Sequence, residues 1–342
     1  MADRTAAPAI AVEPGRPALL NTPAFGTLTE ACAWLAAVKP MLRAGLDEHG
    51  ALFLRGLPVC TAQDFAAVRD TLVDTRAAYK EKATPRSGFG DDVFSSTDLP
   101  AAHRIHMHNE NSYTLTFPGT LIFGCLTAPA EGGATPVADV RKVLARLPGD
   151  LVARFRTTGW CLTRNFGDHL SLDWRTSFSA KTRQDVERYC AENLIAYEWH
   201  DEDRLRTTQV RSAIVRHPRT GAEVWFNHVA FWSEWSLDPD IREVLIDESG
   251  PGGLPFNTSI GDGTPLTEEE IALINAAYDA EIVRESWQAG DVMIVDNVLA
   301  AHGRDPFHGE RRIVVAMGDP VALADCAPTI TASGRAAAVP TS

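Results

Sequence analysis

The stretch His106-Met107-His108-Asn109-Glu110-Asn111-Ser112-Tyr113, taken with His302 and Arg312, decides how this chain is read. His108 and Glu110 stand two positions apart, ahead of the apolar run Thr120 to Cys125. On a strand, residues i and i+2 share one face, so both side chains are expected to point the same way. A buried carboxylate there is costly without a cation or a hydrogen-bond partner. Two imidazoles and one carboxylate, with His302 as the third member, form the donor set of a mononuclear non-heme Fe(II) site that keeps coordination positions open.

His-x-Glu alone carries little weight, because it occurs at His108/Glu110, His200/Glu202 and His308/Glu310. His200 sits in a charged run, His200 to Arg204, and reads as solvated surface. His308 runs into Gly309 and reads as a tight turn. His302 favours the first match. It follows Asp291-Val292-Met293-Ile294-Val295-Asp296-Asn297, whose apolar centre reads as a strand. Two strands far apart in sequence must come together to close three ligands on one metal. Arg312 follows beyond the Gly309 turn. An arginine fork grips a carboxylate in bidentate fashion; its bland alternative is a surface salt bridge with Glu310 or Asp305.

Outward from these residues, the apolar spacing predicts helices over residues 28–46, 62–77, 181–193 and 268–282, with Thr61 as an N-cap. Strands are expected at 51–56, 120–125, 224–226, 292–295 and 313–317. Short strands between Gly/Pro turns, with helices at irregular intervals, give a mainly β fold with inserted helices, a sandwich or jelly roll. No Gly-rich loop follows a strand, which excludes a Rossmann or P-loop enzyme. We expect a flexible arm at residues 1–24, one domain over 25–324 and a flexible tail at 325–342.

Among the 342 residues, the net charge of −13 argues against nucleic acid as a partner. No apolar run has the length of a membrane span, and no signal peptide is read at the N-terminus. The six cysteines are scattered without a Cys-x-x-Cys, which fits a reducing cytoplasm and excludes a thiolate metal site.

Further motifs carry a resemblance. They are Ser95-Ser96-Thr97 with Leu99-Pro100, His108 to Tyr113, Gly132-Gly133-Ala134-Thr135-Pro136, Phe226-Asn227, Gly261-Asp262-Gly263, Trp287 to Asp291, and Asp296-Asn297 through His302-Gly303-Arg304 to Arg311-Arg312. In this order and spacing the chain resembles the taurine dioxygenase-like (TauD/TfdA) Fe(II)/2-oxoglutarate oxygenases, most closely the branch of the syringomycin-pathway aspartyl hydroxylase. The similarity runs from about Gly50 to about Val321. It implies a double-stranded β-helix (jelly roll, cupin-like), with Fe(II) on His108, Glu110 and His302. It implies 2-oxoglutarate as cosubstrate, its distal carboxylate held by Thr135 and Arg312, and O2 as oxidant. The family's sulfonate-binding arginine, four positions after Arg312, is replaced by Ala316, which argues against a sulfonate substrate gripped that way. Glu110 is retained where halogenating relatives carry a small residue, which favours oxygenation.

The resemblance implies hydroxylation of an unactivated aliphatic C–H in a small amino-acid-like substrate, free or tethered to a carrier protein, in specialised-metabolite biosynthesis. Desaturation, epoxidation or cyclisation are alternative outcomes of the same chemistry. A zinc hydrolase using His106 and His108, or a non-enzymatic jelly-roll binder, would leave Thr135 and Arg312 without a role. Candidate substrate contacts are Asn109, Asn111, Arg164, Asn227 and Arg304, each with an ordinary structural alternative. Residues 85–98 and 165–174 read as lids, with Trp174 a further contact. Arg204, Arg206, Arg211, Arg216 and Arg219 form a basic cluster, read mainly as a solvated face and otherwise as a carrier-docking patch.

Overall fold

The computed structural model describes residues 8–78, 81–83, 86–96, 98–167, 172–250 and 252–334. The chain opens with β1 (Ala18–Asn21), α1 (Leu28–His49), β2 (Ala51–Arg55), α2 (Ala62–Leu72), β3 (Phe94–Ser95), β4 (Ile105–His108) and β5 (Thr116–Thr127). Its middle carries β6 (Glu131–Gly132), β7 (Val137–Asp139), α3 (Val140–Arg146), α4 (Gly149–Thr158), β8 (Trp160–Phe166), α5 (Trp174–Phe178) and α6 (Arg183–Glu192). There follow β9 (Ala196–Trp199), β10 (Leu205–Arg211), β11 (Ile214–Arg216), β12 (Glu223–Trp225), α7 (Pro239–Ser249), β13 (Phe256–Ile260) and α8 (Glu268–Glu281). The last strands are β14 (Ile282–Val283), β15 (Val292–Asp296), β16 (Ala300–Arg304), β17 (Phe307–His308) and β18 (Arg312–Ala322).

Two sheets build the frame. The larger runs β1-β2-β15-β5-β18-β3 and the smaller β14-β7-β16-β4. Phe53, Leu121, Phe123, Val295 and Ile313 of the larger sheet share one core with Val137 and Ala300 of the smaller. The two sheets therefore face each other as in a jelly roll, and they stay open sheets rather than a closed barrel. On the outer face of the larger sheet, α1 buries Ala31, Leu35, Leu42 and Leu46, a single stripe at helical spacing. Beside it α2 starts from a capping box between Thr61 and Asp64. This helix lies so close to the sheet that a Cβ on Gly124 would stand 2.4 Å from the Phe65 ring. α2 ends at Leu72 rather than running to Ala77, because Val73 turns to extended backbone.

A further sheet, β13-β8-β10-β9, is inserted between the framing strands. Beneath it α5 and α6 close a small core of Trp174, Phe178, Val186, Cys190 and Ile195. The ends of the chain correct the expectation of loose arms. β1 pairs in parallel with β2 and buries Leu20 completely. Past residue 325, Ser333 bridges Val210, and Ile330 N donates 3.0 Å to Ser212 Oγ. Residues 1–7 and 335–342 lie outside the described residues. No helix among the described residues is long and apolar enough to cross a membrane.

Candidate metal centre

β16 lies antiparallel to β4, with His302 opposite His108. This register brings the two imidazoles side by side, 4.4 Å between ring centroids. β4 ends at His108, so Glu110 sits in the following turn and not on the strand. The turn is shaped by amides. Glu110 N donates 2.7 Å to Asn297 Oδ1, and Asn297 Nδ2 donates to Glu110 O and Pro118 O. Asn109 Nδ2 donates 2.7 Å to Asn297 O. Asn111 takes the left-handed conformation, φ 53°, that lets the chain reverse. Asn109 and Asn111 thus build the turn that presents Glu110.

Donor atoms of His108, Glu110 and His302 all lie within 4.8 Å of one another, and all three residues are buried. Burial holds the His108 imidazole below its usual pKa and the His302 imidazole well below it. Both are therefore neutral with a lone pair to give. His108 Nδ1 faces His106 O at 2.9 Å, which leaves Nε2 as its metal-facing nitrogen. Two neutral imidazoles and a buried carboxylate, with no thiolate, suit a divalent first-row metal. The metal-capable clusters among the described residues do not include His106, so the zinc site drawn from His106 and His108 is not assembled. The other cluster, Asp47, His217 and Asp296, is already filled by a cation: Arg219 donates to both Asp47 and Asp296.

Beside the triad lies a cavity walled by Thr135, Phe123, Arg304, Arg311, Ser96 and Arg86. Gly132 and Gly133 lead into it, both at positive φ, where a side chain on Gly132 would run into Pro306 O. Thr135 Oγ1 receives Trp287 Nε1 and Arg311 Nη2, each at 3.2 Å. Arg311 also donates to Gly133 O at 2.9 Å and Ser96 Oγ at 3.1 Å. Burial, and after it the nearby Arg304 guanidinium, push its pKa down to about 10.

Arg312 is the clear correction. It is exposed, with its guanidinium 5.3 Å from the Phe89 ring, while Arg311 enters the cavity. Within β18, Ile313 and Val315 face the core between the sheets and Val314 faces the helices. Arg312 is the first residue of that strand and Arg311 precedes it, and the pairing with β5 is irregular between Arg312 and Ile313, so the two arginines diverge where the regular ladder begins. The position four beyond the inward arginine is accordingly Val315, not Ala316, and it is buried and apolar.

The remaining candidates are occupied by the fold. Arg304 donates to the carbonyls of Leu99, Pro100 and His103, although it lines the cavity. Asn227 bonds Ala213 O and Val229 N. Arg164 donates to Lys82 O, lies 3.6 Å from buried Glu81, and stacks on Phe166 and Phe256. Trp174 is buried under Trp199. The stretch 85–98 contributes the edge strand β3; Pro85 and Thr97 of it, and residues 168–171 of the second lid, lie outside the described residues. The basic cluster is dispersed: Arg211 is buried, Arg204 pairs with Asp201, Arg216 with Glu223, and Arg219 with Asp47.

Sequence reasoning gave no site role to Arg311, Ser96 and Trp287, which it quoted only as marks of the resemblance, and none to Arg86. It also missed an aromatic wall. Phe231 lies 4.4 Å from the His108 ring, and His228 stacks on Trp232 at 4.2 Å.

Residues 13–317 match the family model described as taurine catabolism dioxygenase TauD, TfdA family. The chain belongs to this family. It is an Fe(II)- and 2-oxoglutarate-dependent dioxygenase. It is 38% identical over 277 residues to the dapdiamide synthesis protein DdaC of Enterobacter agglomerans, covering 81% of this chain and 84% of that one. It is 26% identical over 291 residues to a clavaminate synthase-like protein of Arabidopsis thaliana, covering 82% and 84%. The fold matches a taurine dioxygenase from Burkholderia xenovorans (TM-score 0.52, 16% identity, 97% of this chain and 96% of that one). It also matches AAD-2 solved with Mn(II) and N-oxalylglycine (TM-score 0.52, 12% identity, 95% and 100%).

Proposed function

We propose that His108, Glu110 and His302 hold the Fe(II), and that Arg311 with Thr135 and Ser96 holds the distal carboxylate of 2-oxoglutarate. The observation that carries this reading is the pairing of His302 with His108 across β16 and β4, with Glu110 turned to the same point and half-buried Arg311 lining the adjoining cavity. Bound Fe(II) and 2-oxoglutarate supply the oxidant, consuming O2 and releasing succinate and CO2.

The chain's own residues bind, orient and exclude water. Arg311 offers donors to the carboxylate, and Thr135 Oγ1 adds a hydroxyl at the same place. Phe123, 5.3 Å from the His302 ring, and Phe231 keep the reacting centre dry. The Asn109–Asn297 pair holds the Glu110 turn against β16, so the three donors are positioned before any ligand arrives.

The reaction we assign is hydroxylation of an unactivated aliphatic C–H in a small amino-acid-like substrate, in specialised-metabolite biosynthesis. The relative named for dapdiamide synthesis supports a biosynthetic setting, and six free cysteines support a reducing compartment such as the cytoplasm. Four of the five arginines that would have docked a carrier protein, Arg204, Arg211, Arg216 and Arg219, are committed to the fold or to nearby acids, so a carrier partner has no support from those four. The test is a screen of free amino acids and short amino-acid conjugates with Fe(II), 2-oxoglutarate and O2. We expect a product one oxygen atom heavier, formed in step with succinate. A product two hydrogens lighter would replace hydroxylation by desaturation.

A further inference from the structure

Arg86 reaches the metal cluster from the segment between α2 and β3. Its Nη2 donates 2.8 Å to Glu110 Oε2, and both side chains are buried. That same oxygen lies 3.8 Å from His302 Nε2. The guanidinium therefore occupies the carboxylate oxygen that is turned toward the imidazoles. A divalent metal held by His302 and by Glu110 through that oxygen would have Arg86 as its rival there.

The size of the cavity points the same way. With Arg86 in place, it measures about 20 Å³, room for about one water. A five-carbon dicarboxylate needs more room than this, and Arg86 is one of the side chains that line the cavity. Such a molecule carries an anion at each end. Arg311 lines the cavity and bonds Gly133, Ser96 and Thr135, with no bond to a triad residue among those hydrogen bonds. The inward face of β18 brings no second guanidinium, because Ile313, Val315 and Met317 make it apolar core. Of the other guanidiniums lining the cavity, Arg304 donates to the carbonyls of Leu99, Pro100 and His103, while Arg86 donates to the triad itself.

We propose that Arg86 exchanges one carboxylate for another. It holds Glu110 in the metal-free enzyme and yields that oxygen to the metal. Its released donor then binds the carboxylate of 2-oxoglutarate nearest the metal. The proposal rests on the Fe(II)/2-oxoglutarate reading above. It makes Arg86 a binding residue for the cosubstrate, contributed by a segment outside the two framing pairs of strands.

The test uses Arg86→Gln and Arg86→Lys in the full chain, with Mn(II) as the metal probe. Free Mn(II) is counted by electron paramagnetic resonance, and 2-oxoglutarate binding to the Mn(II)-loaded protein is followed by calorimetry. Arg86→Gln should bind Mn(II) about ten-fold more tightly without cosubstrate, because the rival cation is gone. It should bind 2-oxoglutarate about ten-fold more weakly, the order of one charge-assisted hydrogen bond. Arg86→Lys keeps a cation and should recover most of the 2-oxoglutarate affinity; its melting curve controls for folding. Unchanged or weaker Mn(II) binding in Arg86→Gln overturns the exchange, and so does 2-oxoglutarate affinity within two-fold of the parent. A parent protein that binds neither Mn(II) nor 2-oxoglutarate sinks the functional reading instead, which keeps the two failures apart.

Discussion

Arg311 and Arg312 are neighbours in sequence and opposites in environment. One is half-buried with its guanidinium on Gly133, Ser96 and Thr135; the other is exposed beside Phe89. The motif announced that an arginine would be here, but which of two adjacent arginines turns inward is decided where the regular ladder of β18 begins, at the irregular pairing between Arg312 and Ile313. Arg311→Ala should therefore raise the 2-oxoglutarate requirement ten-fold or more, on the order of a lost charge-assisted pair. Arg312→Ala should leave it within two-fold. Steady-state kinetics against 2-oxoglutarate decides this, and an equal effect of both variants would remove the clamp from Arg311. The triad was more legible. His108, Glu110 and His302 converge as their spacing implied, although Glu110 is delivered by a turn built on Asn109, Asn111 and Asn297 rather than by a strand.

At the scale of elements, periodicity worked where one face is buried and the other wet. α1, α6, α8 and the cap of α2 follow their sequence patterns closely, and β5, β15 and β18 appear around the apolar runs that announced them. The inserted sheet was not legible. β8, Trp160–Phe166, is buried at nearly every position and so shows no alternation. β9 is only four residues long and half-exposed. The N-terminal strand was hidden in an Ala- and Pro-rich stretch. Its role is tested by deleting residues 1–24. β1 forms the edge of the larger sheet and buries Leu20 fully, so we expect a loss of about 2 kcal/mol or more, from the burial of that side chain alone. Urea unfolding measures it. A variant as stable as the parent would return residues 8–24 to the status of a loose arm.

Across the whole molecule, the smaller sheet carries His108 and His302 on β4 and β16, and the larger sheet adds Phe123 to the cavity wall. The candidate ligands lie far apart in sequence, and the pairing of β4 with β16 brings the two imidazoles together. The sequence could name the three candidate ligands that the fold brings together, the cosubstrate and the sheet-on-sheet architecture, because these follow from local donor types, spacing and family motifs. It could not show which polar residues the interior would consume. Arg164, Asn227 and Arg304 satisfy carbonyls of their own chain, a role fixed by long-range packing. The account stands or falls on the centre itself. Adding Fe(II) and 2-oxoglutarate to the metal-free protein without oxygen should give the weak visible charge-transfer band of an iron chelate, and Glu110→Ala or His302→Ala should abolish it. If the parent protein shows no band, or keeps one of full intensity in both variants, the metal centre proposed for His108, Glu110 and His302 is contradicted.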